Sequence, residues 1–418
     1  RIASLAPSGR SHFGWSFAFS GPFDADTGFR SNRFAGDEQF AGHTFNSERI
    51  DGQIEPSGDA KMWFFQWAFC GAAATIVSGG VAERVNFPGY LIFSFLMTSF
   101  IYPIVVAWSW GMGFLADMNA VGYFDFAGSG IVHMTGGVGA LVGAAIAGPR
   151  AGRWLNSEGN LQSAKERVMT VPEGFNPHNI VLVVLGTFVL WFGWYGFNCG
   201  STLGLSNIEA GFMAAHVAMN TTIAASVGGL AVFAIRYAML RKFDVTGFCN
   251  GILAGLVSIT AGCGNLENGS ALAAALVGAF IYQGASSALR AAKIDDVVDA
   301  FAVHGACGAW GVLAAAFFDW GQGFNHVHGW SGFQCMKDAN GVCLEGLGGN
   351  LIAAAFAEIA VIILWVGGLC AIIFGILKAL GMLVASNDMQ EQGFDMLKHS
   401  PSKAYWVEPQ AEIPSTSI

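Results

Sequence analysis

Nine stretches of this chain are apolar over about the 20 residues that a helix needs to cross the hydrocarbon of a bilayer. They run over 62–81, 89–114, 127–148, 179–204, 208–235, 245–264, 268–289, 299–318 and 350–384. Inside lipid each backbone N–H and C=O must be satisfied within its own segment, so stretches of this length are helices. The expected fold is an all-α polytopic membrane protein. Its regions are an extracellular segment 1–61, a membrane domain 62–384 and a cytoplasmic tail 385–418. Composition agrees: 53% of residues are hydrophobic and 12% charged, about half the charged share of a soluble domain. Several stretches are rich in Gly and Ala, which suits close helix packing more than contact with lipid. A net charge of −9 leaves no basic face, so nucleic acid is not an expected partner.

The connections set orientation. Alternate ones carry Arg84; Arg150, Arg153, Lys165 and Arg167; Arg236, Arg241 and Lys242; Arg290 and Lys293; and the tail adds Lys398 and Lys403. Those between them, 115–126, 205–207 and 265–267, have no Lys or Arg, and 319–349 has only Lys337. Positive residues stay inside, which places the first set and the C-terminus in the cytoplasm. Six cysteines lie in apolar segments and read as small packing residues. Cys335 and Cys343 share a polar external loop, where a disulfide between them is a candidate.

Ionisable side chains within or beside the apolar segments point to function. We single out His133, His216 and His304, with Asp125, Asp296 and Asp299 at helix starts. Two of the histidines share a setting: DFAGSGIVH (125–133) and DVVDAFAVH (296–304) each place an aspartate eight residues ahead of a histidine. Gly137 and Gly308 fall in the same register, and the loop charges make the two segments enter from opposite faces. Inverted halves with a site at their interface are a common transporter plan. Two facing imidazoles can share a proton, one donating and one accepting. A single membrane histidine more often packs or bonds locally, which is the expectation for His216. Capping is the expected role of Asp296 and Asp299; for Asp125, capping and a bias of a vestibule toward cations both stand.

Among the aromatics, Trp110 closes one segment near the external face, Phe65 and Phe69 are a turn apart, and Trp194, Tyr195 and Phe197 cluster near Ser201. An interfacial belt and ordinary core explain most of these. A ring beside a hydroxyl is also able to hold a small cation, and two apposed Phe rings would exclude water beyond it. A membrane enzyme using the histidines as metal ligands would need more ligands than the apolar helices supply, so neither a metal nor a cofactor is expected.

Four motifs carry a resemblance. SGGVAERVNF (78–87), DFAGSGIVHMTGGVGALVGAAIAGPR (125–150), LWFGWYGFNCGS (190–201) and DDVVDAFAVHGACGAWG (295–311) resemble, in order and spacing, the ammonium transporter (Amt/Mep/Rh) family. FFQWAF (64–69), TAGCG (260–264) and GFDM (393–396) are closest to plant and algal members. The resemblance implies a fold of inverted repeats, a homotrimer in the plasma membrane with one pore per subunit, and ammonium, ammonia or methylammonium as substrate. It implies recruitment by Trp110 and Ser201 supported by Asp125, a gate of Phe69 and Phe197 flanked by Phe65, and a pore with His133 and His304. By the same likeness the nine stretches match the third helix onward, and FGWSFAFSGPF (13–23) resembles the end of the second. The expectation is therefore a chain lacking the family's first two membrane helices, with a truncated gene product as one alternative and an ammonium sensor signalling through its tail as another. Gly130 stands where many bacterial members have Thr, and Leu397 where plant members carry a phosphorylatable Thr; Ser400 before Pro401 is a weaker candidate.

Overall fold

Each of the nine apolar stretches is helical over most of its length in the computed structural model. The structure describes residues 17–19, 31–36, 47–50, 53–56, 59–116, 118, 122–319 and 350–394. Cys335, Cys343, Leu397 and Ser400 lie outside the described residues. The helices are α1 (Asp59–Val81), α2 (Phe87–Trp108), α3 (Ser129–Ala147), α4 (Ile180–Gly200), α5 (Ile208–Leu240), α6 (Val245–Thr260), α7 (Asn268–Ala291), α8 (Phe301–Phe317) and α9 (Asn350–Ala379). Seven are long and apolar enough to cross a membrane, while α6 and α8 are shorter apolar helices. At 16 residues, α6 reaches about 24 Å at the helical rise. It can be short because it is internal: the chain runs on from it through Ala261, Cys263 and Leu266, all buried. The all-α expectation has one exception, an antiparallel hairpin of β1 (Ser47–Ile50) and β2 (Gln53–Pro56) ahead of the helices.

Local chemistry marks several helix starts. Asn179, Asn207 and Asp244 each accept a hydrogen bond from the backbone N–H three residues on, capping α4, α5 and α6. Pro88 opens α2, where its missing N–H costs nothing. Further along α2 the helix widens into a π-turn at Met97–Ile101, just before Pro103, whose ring cannot follow a regular turn.

The helices differ sharply in how much of them faces other helices. The apolar window of α3 is 72% buried, that of α4 only 11%. Val181, Leu185, Phe188, Val189 and Phe192 project outward from α4 and fit a lipid or subunit contact. α3 is the central helix, and it crosses α8 at almost no separation. A methyl group on Gly137 would run into the backbone of His304 and Gly305, and one on Gly308 would meet the backbone of Ser129 and Met134. The contact is reciprocal. Gly305 and Gly308 lie the same distance along the chain from Met134 and Gly137 as His304 does from His133, so the crossing sits on the pseudo-two-fold relating the halves.

At the end of the bundle assigned to the cytoplasm, one aspartate gathers three arginines. Asp295 accepts a bidentate pair of hydrogen bonds from Arg150, Nε to Oδ2 at 2.8 Å and Nη2 to Oδ1 at 3.0 Å. Arg153 stands 3.3 Å away. Arg84, with no exposed surface, donates to the carbonyls of Asp295 and Gly148 at 2.8 and 2.6 Å. The cluster thereby joins the ends of α1 and α3 to the start of α8. Burial by itself would raise the Asp295 carboxyl, but hydrogen bonds and charge from Arg150 outweigh it and hold the group below the ordinary 3.8. Burial pushes Arg153 down to about 10.

Two predictions concern these contacts. Gly137→Ala or Gly308→Ala should lower stability by about 1–3 kcal/mol by overpacking. Gly186→Ala, on the open face of α4 with nothing within 4 Å, should not. Thermal unfolding of purified protein in detergent compares them. Asp295→Asn strands buried guanidinium groups and should cost about 3–5 kcal/mol. Because its folded pKa is depressed, Asp295 stabilises the protein above its ordinary pKa, and that contribution is lost as pH falls through the lowered value. Acid unfolding of the wild type should therefore be steeper than that of the Asn variant, and matching slopes would refute the assignment.

Candidate functional site

The two predicted histidines meet at the α3–α8 crossing. His133 lies in a π-turn, Ser129–Met134, at the head of α3, and His304 lies in another, Phe301–Ala306, at the head of α8. The wide turn is visible in the backbone: the His133 N–H donates to the Gly128 carbonyl five residues back, at 3.0 Å. One added residue per turn rotates the remainder of the helix by about 100°. Such turns recur at functional sites, and here both equivalent positions carry one. Gly128 enables the first, since its φ of 103° is closed to side chains.

Each π-turn is held by the aspartate that the spacing singled out. The Asp125 carboxylate accepts four backbone N–H bonds, from Gly128 (2.8 Å) and Ser129 (2.9 Å) on one oxygen and from Gly130 (2.9 Å) and Ile131 (3.0 Å) on the other. Asp296 accepts from Ala300 and Phe301 at 2.9 and 2.7 Å. Asp299 does not cap. It adopts a positive φ of 59°, and its carboxylate instead accepts from Tyr282 Oη at 2.7 Å and Ser286 Oγ at 3.0 Å. Arg290 and Arg236 stand at 3.7 and 3.8 Å. It remains structural, as a tie between α5, α7 and α8.

The histidine rings face one another with Nδ1 to Nδ1 at 3.2 Å and centroids 5.2 Å apart. A hydrogen bond between two Nδ1 atoms needs a proton on one and a lone pair on the other. In the neutral pair, one Nε2 is therefore a donor and the other an acceptor. His133 Nε2 is buried and has no hydrogen-bond partner.

A stack of rings leads to that pair. Trp110 stands edge-on to Phe69 at 5.7 Å, Phe69 stacks on Phe197 at 4.1 Å, and Phe197 lies 5.1 Å from His133. Phe65 flanks Phe69 at 4.5 Å. The Phe69–Phe197 rings are in van der Waals contact and leave no space between them. Trp110 is anchored by its Nε1, which donates to the Asp125 carbonyl at 3.0 Å. Ser201, just past the end of α4, donates to the Phe197 carbonyl at 2.9 Å. The residues named from the sequence for recruitment, gate and pore all fall on this stack or on the elements that hold it. His216 lies apart, its Nε2 2.9 Å from the Leu266 carbonyl and bonded to Asn220, a local role as expected.

Two residues have no assigned part in the sequence analysis. Trp194 lies flat against His133, with centroids 5.0 Å apart and planes at 16°, and its Nε1 donates to Thr260 Oγ1 at 3.0 Å. Its spacing of three from Phe197 on α4 was the available signal. Glu358 is an acid in the first third of α9 with no exposed surface. Its presence inside so apolar a segment was itself the signal. Among the described residues no three His, Cys, Asp or Glu converge as ligands for a metal.

Comparison with other proteins gives this geometry a context. A profile of the Ammonium Transporter Family matches residues 11–405. The chain is 36% identical over 402 residues to ammonium transporter 1 member 1 of Arabidopsis thaliana, covering 93% of this chain and 74% of that protein. It is 35% identical to ammonium transporter 1 member 1 of Solanum lycopersicum, covering 95% and 77%. Among solved structures it resembles a sensor Amt protein, with a TM-score of 0.73 at 28% identity over 95% of this chain and 87% of that one. It also resembles Mep2 of Saccharomyces cerevisiae, with a TM-score of 0.68 at 26% identity over 90% and 76%. With a profile spanning nearly all of its length and plant relatives above one-third identity, the chain belongs to the ammonium transporter family.

Proposed function

We propose that this member of the family moves ammonium across the membrane by recruiting it as a cation at Trp110 and Ser201 and passing it as ammonia through the Phe69–Phe197 gate and along the His133–His304 pair. The observation that carries this reading is the uninterrupted ring stack from Trp110 to His304. An indole face holds a small cation by its quadrupole. The closed phenyl pair opposes anything that keeps its hydration shell, because a charge at mid-membrane costs several kcal/mol or more. Sodium and potassium cannot shed that charge; ammonium can, by giving up a proton. Beyond the gate, His133 Nε2 is free to bond ammonia, and the shared proton keeps the pair neutral while one ring donates and the other accepts. Trp194 fixes the His133 ring plane. Asp125 contributes its charge and its hold on Trp110, since its own oxygens are occupied by N–H groups.

The arrangement is proposed to work in a homotrimer in the plasma membrane, with residues 385–418 in the cytoplasm and the segment before α1 outside. A second reading, an ammonium sensor, draws on the likeness to the sensor Amt protein. It requires a signal from the C-terminal tail on ammonium binding without matching flux.

Uptake of labelled methylammonium by cells lacking their own transporters tests the proposal. Competition by ammonium but not by potassium is expected; a signal with no uptake would favour the sensor. Trp110→Leu should raise KM about tenfold, the order of one cation–π contact of 1–2 kcal/mol. His133→Ala and His304→Ala should each change rate or selectivity with normal membrane insertion. Unaltered flux and selectivity in both histidine variants would remove the pair from the pathway. Recording current alongside uptake shows whether the proton accompanies each ammonia.

A further inference from the structure

Glu358 is an acid that the transport reading above does not use. It sits in the first third of α9 with no exposed surface, and neither carboxyl oxygen meets an N–H or O–H donor. Its surroundings are the backbone of Gly130, where a methyl group would collide with Glu358 Oε1, and the side chain of Val312 on α8. Gly130 brings Glu358 beside Asp125, because the N–H of that same glycine donates to Asp125 Oδ2 at 2.9 Å. The other titratable groups that interact with this pair are Tyr123, from the segment leading into α3, Tyr102 of α2 and Cys263, just past α6.

The two carboxyls have opposite circumstances. Asp125 has four N–H groups aimed at it from a helix start, which favours the ionised form. Glu358 has none, and a buried carboxylate without donors neutralises instead. Two carboxyls brought together at one buried position do not both ionise and hold one proton between them. Glu358 Oε1 occupies the space of a Cβ at position 130, which explains the glycine there.

We propose that Glu358 is protonated in the resting protein and donates to Asp125, so that the pair carries a single negative charge beneath Trp110 and makes Glu358 a positioning residue for cation recruitment. This rests on the recruitment reading, but its protonation is measurable without transport. Infrared spectra of the full-length chain in lipid nanodiscs, with carboxyl-labelled glutamate, should show a protonated-acid carbonyl band at neutral pH that is lost in Glu358→Gln. In uptake assays Glu358→Leu should raise the methylammonium KM several-fold with little change in maximal rate. Glu358→Gln, whose amide N–H also donates to Asp125, should recover most of that loss. A wild-type spectrum without such a band, or a Gln variant as impaired as the Leu variant, would overturn the proposal. So would a lost band with KM unmoved in both variants, which would leave a neutral acid with no part in recruitment. Should the Leu variant fail to fold, the Gln spectrum and its KM still decide.

Discussion

The close crossing of α3 and α8 is the contact on which the site depends. Two glycines let the helices meet backbone to backbone, and that approach brings two imidazoles from distant parts of the chain to 3.2 Å. The separation leaves no room for a methyl: on either glycine it would lie within 2.5 Å of the facing backbone, and the helices that carry the rings would have to shift. In a membrane no hydrophobic force presses helices together, so small residues and backbone contact must supply the association. The reciprocity of the crossing makes the two halves of the site equivalent in construction, each with an aspartate holding a π-turn that presents a histidine.

Around this centre the burdens are divided. Asp125 and Asp296 hold the backbone at the helix heads, while Asp295, next to Asp296, ties the ends of α1 and α3 to the start of α8 through Arg84, Arg150 and Arg153. Asp299 knots α5, α7 and α8. The hydrogen bonds and ion pairs of these carboxylates described above go to backbone, Arg, Tyr and Ser groups rather than to the rings of the stack.

Much of this was legible in the sequence, and the exceptions have physical reasons. The apolar stretches, the paired Asp and His spacing, the register of Gly137 with Gly308 and the order of Phe69, Phe197 and Ser201 all matched positions in the structure. The π-turns were not legible, because a single inserted residue leaves no mark on a hydropathy pattern. Asp299 was misjudged because a left-handed backbone turns its carboxylate away from the helix it opens, and nothing in its neighbours announces that. Trp194 looked like one of several aromatics on α4; only the placement of His133 against it gives it a role. Glu358 was lost in the averaging that identifies α9, where one acid scarcely lowers the mean of a 30-residue apolar helix.

One side of the ring stack is carried by α4, whose apolar window is the least buried of the seven, with 11% enclosed by the rest of the chain. Phe197, Trp194 and the Ser201 turn all belong to that helix or its end. The facing ring, Phe69, belongs to α1 and is itself almost fully enclosed by the fold. The two rings of the proposed gate are thus unequally backed: Phe69 is set in the frame, and Phe197 sits on the helix most open to the outer surface. Whatever packs on the exposed Phe188, Val189 and Phe192 then bears on the Phe69–Phe197 contact from behind. In such a molecule the surrounding bilayer is a mechanical component of the proposed gate as well as its solvent.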